Sequence, residues 1–308
     1  MTSKVSIIGA GNVGATCVQR IVERGYADVV LVDIVDGLPQ GKSLDMLESM
    51  PIFGCDRHII GTNNYQETAD SDVVVITSGV PRKPGMTREE LLQTNASIVA
   101  EVTRNVVSHS PNCIIIVVTN PLDAMTYLAL RTSRFPKSRV MGLSGVLDTA
   151  RLRSFIAAEL NVSVADVFAC ILGQHGEKMV ILPRLCTVCG IPITKLLSQE
   201  TINRLVERTL NAGAEIVGLL KTGSAFYAPS AGVAQMVEAI ILDKKQILPC
   251  DTYLDGEYGI KGTVISVPVK LGKSGIEQII ELELTVGEKS ALANSAQAVQ
   301  ELMKAIKL

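Results

Sequence analysis

Lys4-Val5-Ser6-Ile7-Ile8-Gly9-Ala10-Gly11-Asn12-Val13-Gly14 is the stretch that decides the fold. Residues 4–8 form a short apolar run, which predicts a strand ending at Gly9. Residues 13–24 beyond it have helical periodicity and stop at Gly25. Between them stands a Gly-x-Gly-x-x-Gly. In such a strand–turn–helix Gly9 permits the tight turn, Gly11 lets a pyrophosphate approach the main chain, and Gly14 lets the helix lie close on the strand. Ala10, Asn12 and Val13 complete the turn, and the helix start offers free N–H groups and a positive dipole end to phosphates. The next predicted strand, residues 28–32, ends at Asp33, 19 residues after Gly14. A carboxylate there accepts hydrogen bonds from ribose hydroxyls and repels a 2′-phosphate, so the expected dinucleotide is NAD rather than NADP.

Working outward, strands and helices alternate through the first half. Residues 38–50 read as a helix with Pro51 beyond its end, 72–76 as a strand, and 89–108 as a long helix followed by Pro111. Residues 112–118 are apolar almost without a break, as expected of a strand covered on both faces, and 146–160 read as a helix behind Gly145. The alternation predicts an α/β fold with a Rossmann-type doubly wound parallel sheet. The second half changes character. Residues 165–172 and 179–185 are strand-like, 199–220 and 230–241 helical, 246–254 and 263–271 strands, and 290–307 a closing amphipathic helix. Short strands beside long helices predict an α+β substrate domain. The division expected is 1–145 and 146–308, and with no Pro/Gly/Ser linker between them the two units should pack closely.

Composition narrows the function classes. Of 308 residues 47% are hydrophobic and 19% charged, enough for a packed core and too apolar for wholesale disorder. The net charge of −2 leaves no basic footprint for nucleic acid, and the absence of tryptophan with 4% aromatic residues disfavours base-stacking surfaces. The longest apolar stretches are strand length, and the N-terminal run lacks a signal-like apolar region, so neither a membrane span nor export is expected. Seven cysteines, an odd number placed mostly in apolar segments, read as reduced thiols of a cytoplasmic protein. Cys186 and Cys189 make a Cys-x-x-Cys without a second pair or a nearby histidine, so no metal is expected.

Three histidines are present, and they can be weighed singly. His109 near the end of a polar helix and His58 beside Arg57 read as surface residues. His175 stands in Gly173-Gln174-His175-Gly176-Glu177, directly after an apolar strand, where flanking glycines leave the ring accessible. Imidazole suits proton transfer near neutral pH but needs an orienting partner. Asp148 and Arg151 lie three apart in Leu147-Asp148-Thr149-Ala150-Arg151, on one face of a helix and among small or apolar neighbours. The loop Gly79-Val80-Pro81-Arg82-Lys83-Pro84-Gly85-Met86-Thr87-Arg88 carries three cations and leaves the carboxyl end of a strand, the side on which such sheets bind ligands. Arginine is the residue for bidentate carboxylate recognition.

Taken together and in this order, the Gly9-to-Gly14 turn, Asp33, the Pro81–Arg88 loop, Thr119-Asn120-Pro121, Leu147-Asp148-x-x-Arg151 and Gly173-x-His175-Gly176 resemble the lactate/malate dehydrogenase family over essentially the whole chain. Lys221-Thr222-Gly223-Ser224-Ala225 and Tyr227-Ala228-Pro229 resemble its malate-oxidising members built like the lactate enzymes. The resemblance implies His175 as proton donor and acceptor, Asp148 as its orienting partner, Arg151 as clamp on the substrate C1 carboxylate and Arg88 as the group that polarises the carbonyl. It implies Asn120 against substrate and cofactor, with Val118 and Asn95 on the cofactor. Arg82 stands where the family selects its substrate and where lactate enzymes usually carry glutamine. A second carboxylate would pair with Arg82, whereas a methyl group would leave the cation unpaired at a cost. Met86, where lactate enzymes often carry an acid, removes a repulsion.

The implied activity is therefore reversible oxidation of (S)-malate to oxaloacetate with NAD, by a homotetramer or homodimer that takes a small dicarboxylate and binds neither nucleic acid nor membrane. Two alternatives stand beside it, an L-lactate or broader 2-hydroxyacid dehydrogenase and a catalytically inactive NAD-sensing module. A short-chain dehydrogenase would need Tyr-x-x-x-Lys, and no tyrosine has a lysine four residues on.

Overall fold

A computed structural model describes residues 2–81 and 86–307. Strand β1 (Lys4–Ile8) is followed by α1 (Asn12–Glu23), β2 (Asp28–Val32), α2 (Leu38–Phe53), β3 (Ile59–Thr62), β4 (Val73–Ile76), α3 (Arg88–His109), β5 (Ile114–Val117), α4 (Leu122–Ser133), β6 (Val140–Gly142) and α5 (Ser144–Leu160). The six strands run parallel in the order β3-β2-β1-β4-β5-β6, the doubly wound arrangement. Both faces are covered, and the strands show it residue by residue. Val5, Ile7, Val73 and Val75 pack into one apolar cluster with Cys17, Val18 and Ile21 of α1. Ile8, Val74 and Ile76 pack into another with Leu92, Val99 and Val106 of α3. Side chains alternate across a strand, so near-continuous apolar sequence is what two buried faces require.

The chain continues through β7 (Val167–Phe168), β8 (Ile171–Gly173), β9 (Met179–Ile181), β10 (Thr187–Val188), β11 (Ile191–Pro192), α6 (Gln199–Leu220), α7 (Tyr227–Ile241), β12 (Gln246–Asp255), β13 (Lys261–Gly272), β14 (Gly275–Ile279) and α8 (Val286–Ala305). Antiparallel β12 and β13 extend the first sheet: β12 joins β6 through Asp251 opposite Gly142, and β8 and β9 follow β13. Among the described residues this gives one sheet of eleven strands, with a small separate sheet β11-β10-β7. Leu152 and Ile156 of α5 and Ile202 and Leu205 of α6 form a third core over it. Helix α7 returns to lie on α1, and α8 packs against α4 and β13.

Several expectations are corrected. Pro51 lies inside α2, in its last turn, where the missing N–H costs one bond, and Gly54 in the left-handed region (φ +65°) ends the helix instead. Tyr227–Ile241 starts earlier than residue 230 because Pro229 is tolerated in a first turn. The strand expected over 165–172 is a short turn followed by β7 and β8, and Pro183 cuts β9 short of residue 185. Strands β3, β6, β10, β11 and β14 and helix α4 were not expected. Each of these strands has five residues or fewer.

Candidate active site

The turn after β1 is built by sterics. Gly9 has φ +116°, and a Cβ on Gly14 would run into the Gly9 carbonyl, so α1 can approach β1 only with glycine at that position. At Gly11, by contrast, a Cβ would meet nothing within 4 Å, so this side of the turn is open at the amino end of α1. Asp33 stands at the end of β2 and is half-buried. Its Oδ2 accepts from Ala10 N at 2.6 Å and its Oδ1 from Val35 N at 3.0 Å. Lys42 of α2, which sequence reasoning missed, donates to the Ala10 carbonyl at 2.7 Å. The open glycine turn with a carboxylate beside it fits a dinucleotide's pyrophosphate and ribose; Asn12 is exposed and Val13 half-buried on that rim.

The loops after β4 and β5 close the same edge. Thr77 and Ser78 donate to the carbonyls of Ile8 and Gly9, and the Thr119 hydroxyl donates to Ser78 O at 2.6 Å. Asn95, 2% exposed, accepts from Val80 N and donates to the carbonyls of Val80 and Asn120. Its amide is thus committed to the main chain on which Asn120 sits. Asn120 is exposed, Val118 half-buried, and the Asn120–Pro121 peptide is cis.

On the other side, His175, Asp148 and Arg151 meet. His175 Nδ1 is 2.7 Å from Asp148 Oδ2, and Arg151 Nη1 donates to Asp148 Oδ1 at 3.0 Å. The Asp148 side chain is 1% exposed and the His175 ring 19%, so the carboxylate is sealed while the imidazole keeps an accessible edge. With Nδ1 held, Nε2 is the nitrogen free to exchange a proton. Burial alone would lower the proton affinity of His175, but the Asp148 carboxylate, with help from Asp123, outweighs it, and the pKa is raised. Arg151 Nε is buried and has no hydrogen-bond partner, an N–H that a bound carboxylate would satisfy.

Asp123 was not singled out in the sequence. Both its oxygens accept from His175 N at 3.2 Å. The signal available was an acidic residue in the first turn of a helix behind Pro121, hidden because α4 itself was not recognised. Arg88 begins α3, its side chain 81% exposed and 3.6 Å from exposed Glu177. Arg82 lies outside the described residues. His58 is exposed and His109 half-buried, its Nδ1 2.9 Å from Asn105 O.

A dinucleotide turn at the switch point of a doubly wound sheet, with a carboxylate-held histidine and an arginine at the same edge, defines an NAD-dependent oxidoreductase. Residues 3–142 match the family model of the lactate/malate dehydrogenase NAD-binding domain, and residues 145–308 that of the family's alpha/beta C-terminal domain. The chain is 57% identical to a malate dehydrogenase of Thermomicrobium roseum over 307 residues, covering 100% of this chain and 99% of that one. A malate dehydrogenase structure from Salinibacter ruber superposes with TM-score 0.94 at 53% identity, over 98% of this chain and 97% of that one. A lactate dehydrogenase from Cryptosporidium parvum, complexed with lactic acid and nicotinamide adenine dinucleotide, superposes with TM-score 0.95 at 40% identity, over 99% and 98%. The chain belongs to the lactate/malate dehydrogenase family.

Proposed function

We propose that this chain is an NAD-dependent malate dehydrogenase that interconverts (S)-malate and oxaloacetate. The observation that carries the reading is Asp148, sealed from solvent and bonded at once to His175 and Arg151. One carboxylate thereby fixes the proton carrier and a carboxylate clamp relative to each other. NAD, held on the Gly9–Gly14 turn with its ribose at Asp33, supplies or accepts the hydride. His175 Nε2 takes the hydroxyl proton in oxidation and returns it to the carbonyl oxygen in reduction. Arg151 binds the C1 carboxylate. Arg88 turns inward from Glu177 to polarise the oxygen, Asn120 orients substrate and cofactor, Val118 lines the nicotinamide side, and Asn95 supports both through the Asn120 main chain. The lactate reading is less favoured: the solved malate dehydrogenase above is 53% identical and the lactate dehydrogenase 40%. Arg82 selects the second carboxylate by charge. Replacement Arg82→Gln should lower kcat/KM for oxaloacetate by about a hundredfold, the scale of a lost charge pair, and raise that for pyruvate. Unchanged selectivity would refute the charge argument.

The division at 145/146 assigns the nucleotide turn to the first unit and His175 with its partners to the second; the ranges of the two family models support it. A homotetramer or homodimer is supported by Leu44, Leu47, Ile52 and Phe53, four large apolar side chains that α2 leaves exposed. A cytoplasmic setting is supported by Cys17 and Cys113, unpaired thiols whose burial pushes them up to about 12.

A further inference from the structure

Behind His175 lies a second group of acids that the hydride-transfer scheme does not use. Gly142, Asp251, Ser266 and Gly173 are successive partners across β6, β12, β13 and β8, so a single row of the sheet runs from Asp251 to the strand that delivers His175. Asp251 is fully buried; among the described residues neither of its oxygens meets a cation or a main-chain N–H, and the Ser144 hydroxyl at the start of α5 is the donor that lies beside it. Asp123 reaches the same place from α4 and is 2% exposed.

The charges that face His175 can be counted element by element. Helix α5 contributes Asp148 and Arg151 and α4 contributes Asp123; Asp251 of β12 lies behind these, against Asp123 and Asp148 rather than the ring, and from α8 Ser295 accepts from Gln174 N and carries no charge. Among the described residues the cluster thus holds three carboxyls and one permanent cation. Burying an ion without a partner is costly, so the negative charges belong where donors are. Asp148 has Arg151 and the imidazole. Asp123 has the His175 N–H on both oxygens. Asp251 has neither.

We propose that Asp123 is a positioning residue of the acid–base site, the second carboxylate that holds the His175 main chain and favours a proton on its ring, and that Asp251 behind it stays a neutral acid. This rests on His175 being the proton carrier. Burial raises both aspartates above the usual carboxylate range, Asp251 further because Asp123 and Asp148 repel a third charge. Asp123 is pushed up to about 7, so as pH falls through that value it takes a proton and its pull on the imidazole is lost. Malate oxidation needs neutral His175, so its rate falls on the acid side of the histidine's titration. Removing the Asp123 charge lowers the proton affinity and moves that limb to lower pH.

The test is an NMR titration of the full chain labelled at histidine Cε1. Three histidines give three signals, and His175→Asn identifies the one required. Asp123→Asn, which keeps an acceptor for the His175 N–H, should move the His175 midpoint to lower pH. Asp251→Asn should leave it in place, and Asp123→Glu should restore it in part. In kinetics Asp123→Asn should lower kcat about tenfold, a fraction of what general acid–base catalysis contributes, with KM for malate little changed and the acid limb displaced downward. An unmoved midpoint in Asp123→Asn, or a fall in Asp251→Asn as large, overturns the assignment. Should Asp123→Asn fail to fold, Asp123→Glu decides: a carboxylate displaced from the His175 N–H should lower the His175 midpoint part of the way, and a wild-type midpoint there overturns the assignment. The titration needs no turnover, so a chain inert toward malate would refute the proposed activity and leave this result readable.

Discussion

In the proposed acid–base chemistry Asp148 is the residue that ties the other two together. It sits one helical turn from Arg151 and within hydrogen-bond distance of the imidazole, so a single buried charge offsets two cations. Replacement by asparagine keeps the shape and removes the charge. Asp148→Asn should lower kcat for oxaloacetate reduction by about 10²–10⁴-fold, the contribution of a positioned acid–base pair. It should also move the acid limb of malate oxidation to lower pH, because a less basic His175 stays neutral further into acid. A pH–rate profile checks both, and an unmoved limb would mean that another group titrates. His175, Asp148 and Arg151 were legible in the sequence because adjacent residues carry their signals: two charges one turn apart on a helix, and a glycine-flanked histidine after a strand. Asp123 and Asp251 were not. An aspartate within an apolar run carries no local sign of what the fold will bring to it, and here the His175 N–H at Asp123 and the Gly142 strand beside Asp251 both come from distant parts of the chain.

Among elements, the β1–α1 turn shows how far local chemistry reaches. Residues 4–8 and 28–32 were expected as strands with the bounds observed, and residues 199–220 as a helix likewise. In each, periodicity and punctuating residues agree with the packing. The elements missed, β3, β6, β10, β11, β14 and α4, depend on neighbours. Two to five residues can be a strand only when a partner strand is waiting, and α4 follows a proline with no cap of its own. Gly14 is a stringent position in the first class, since a Cβ there collides with backbone rather than with a side chain that can move. Gly14→Ala should destabilise the protein by about 1–3 kcal/mol, the cost of overpacking, and weaken NADH binding by tenfold or more. Thermal unfolding and fluorescence titration with NADH measure the two, and wild-type binding would show that the turn does not need close packing.

Over the whole molecule, three apolar cores join two units that share one sheet, and the nucleotide turn and the His175 cluster stand at the same edge of that sheet. Among the described residues no helix is long and apolar enough to cross a membrane. Helix α2 leaves Leu44, Leu47, Ile52 and Phe53 exposed in the single chain. Leu44→Asp with Leu47→Asp should shift the assembly toward smaller species in sedimentation velocity while leaving the far-ultraviolet spectrum intact. A wild-type chain that sediments as a monomer would remove the reason for these side chains to form a subunit contact.

Charge selection at the substrate end remains the central claim, and initial rates test it most directly. Purified protein assayed with oxaloacetate and with pyruvate, each with NADH and NADPH, should show kcat/KM for oxaloacetate with NADH exceeding that for pyruvate by about a hundredfold or more, because a site built for a second carboxylate is left with an unpaired charge when that group is missing. NADH should be preferred over NADPH, as Asp33 requires. Pyruvate reduced as efficiently as oxaloacetate, or no turnover of either, would contradict the account.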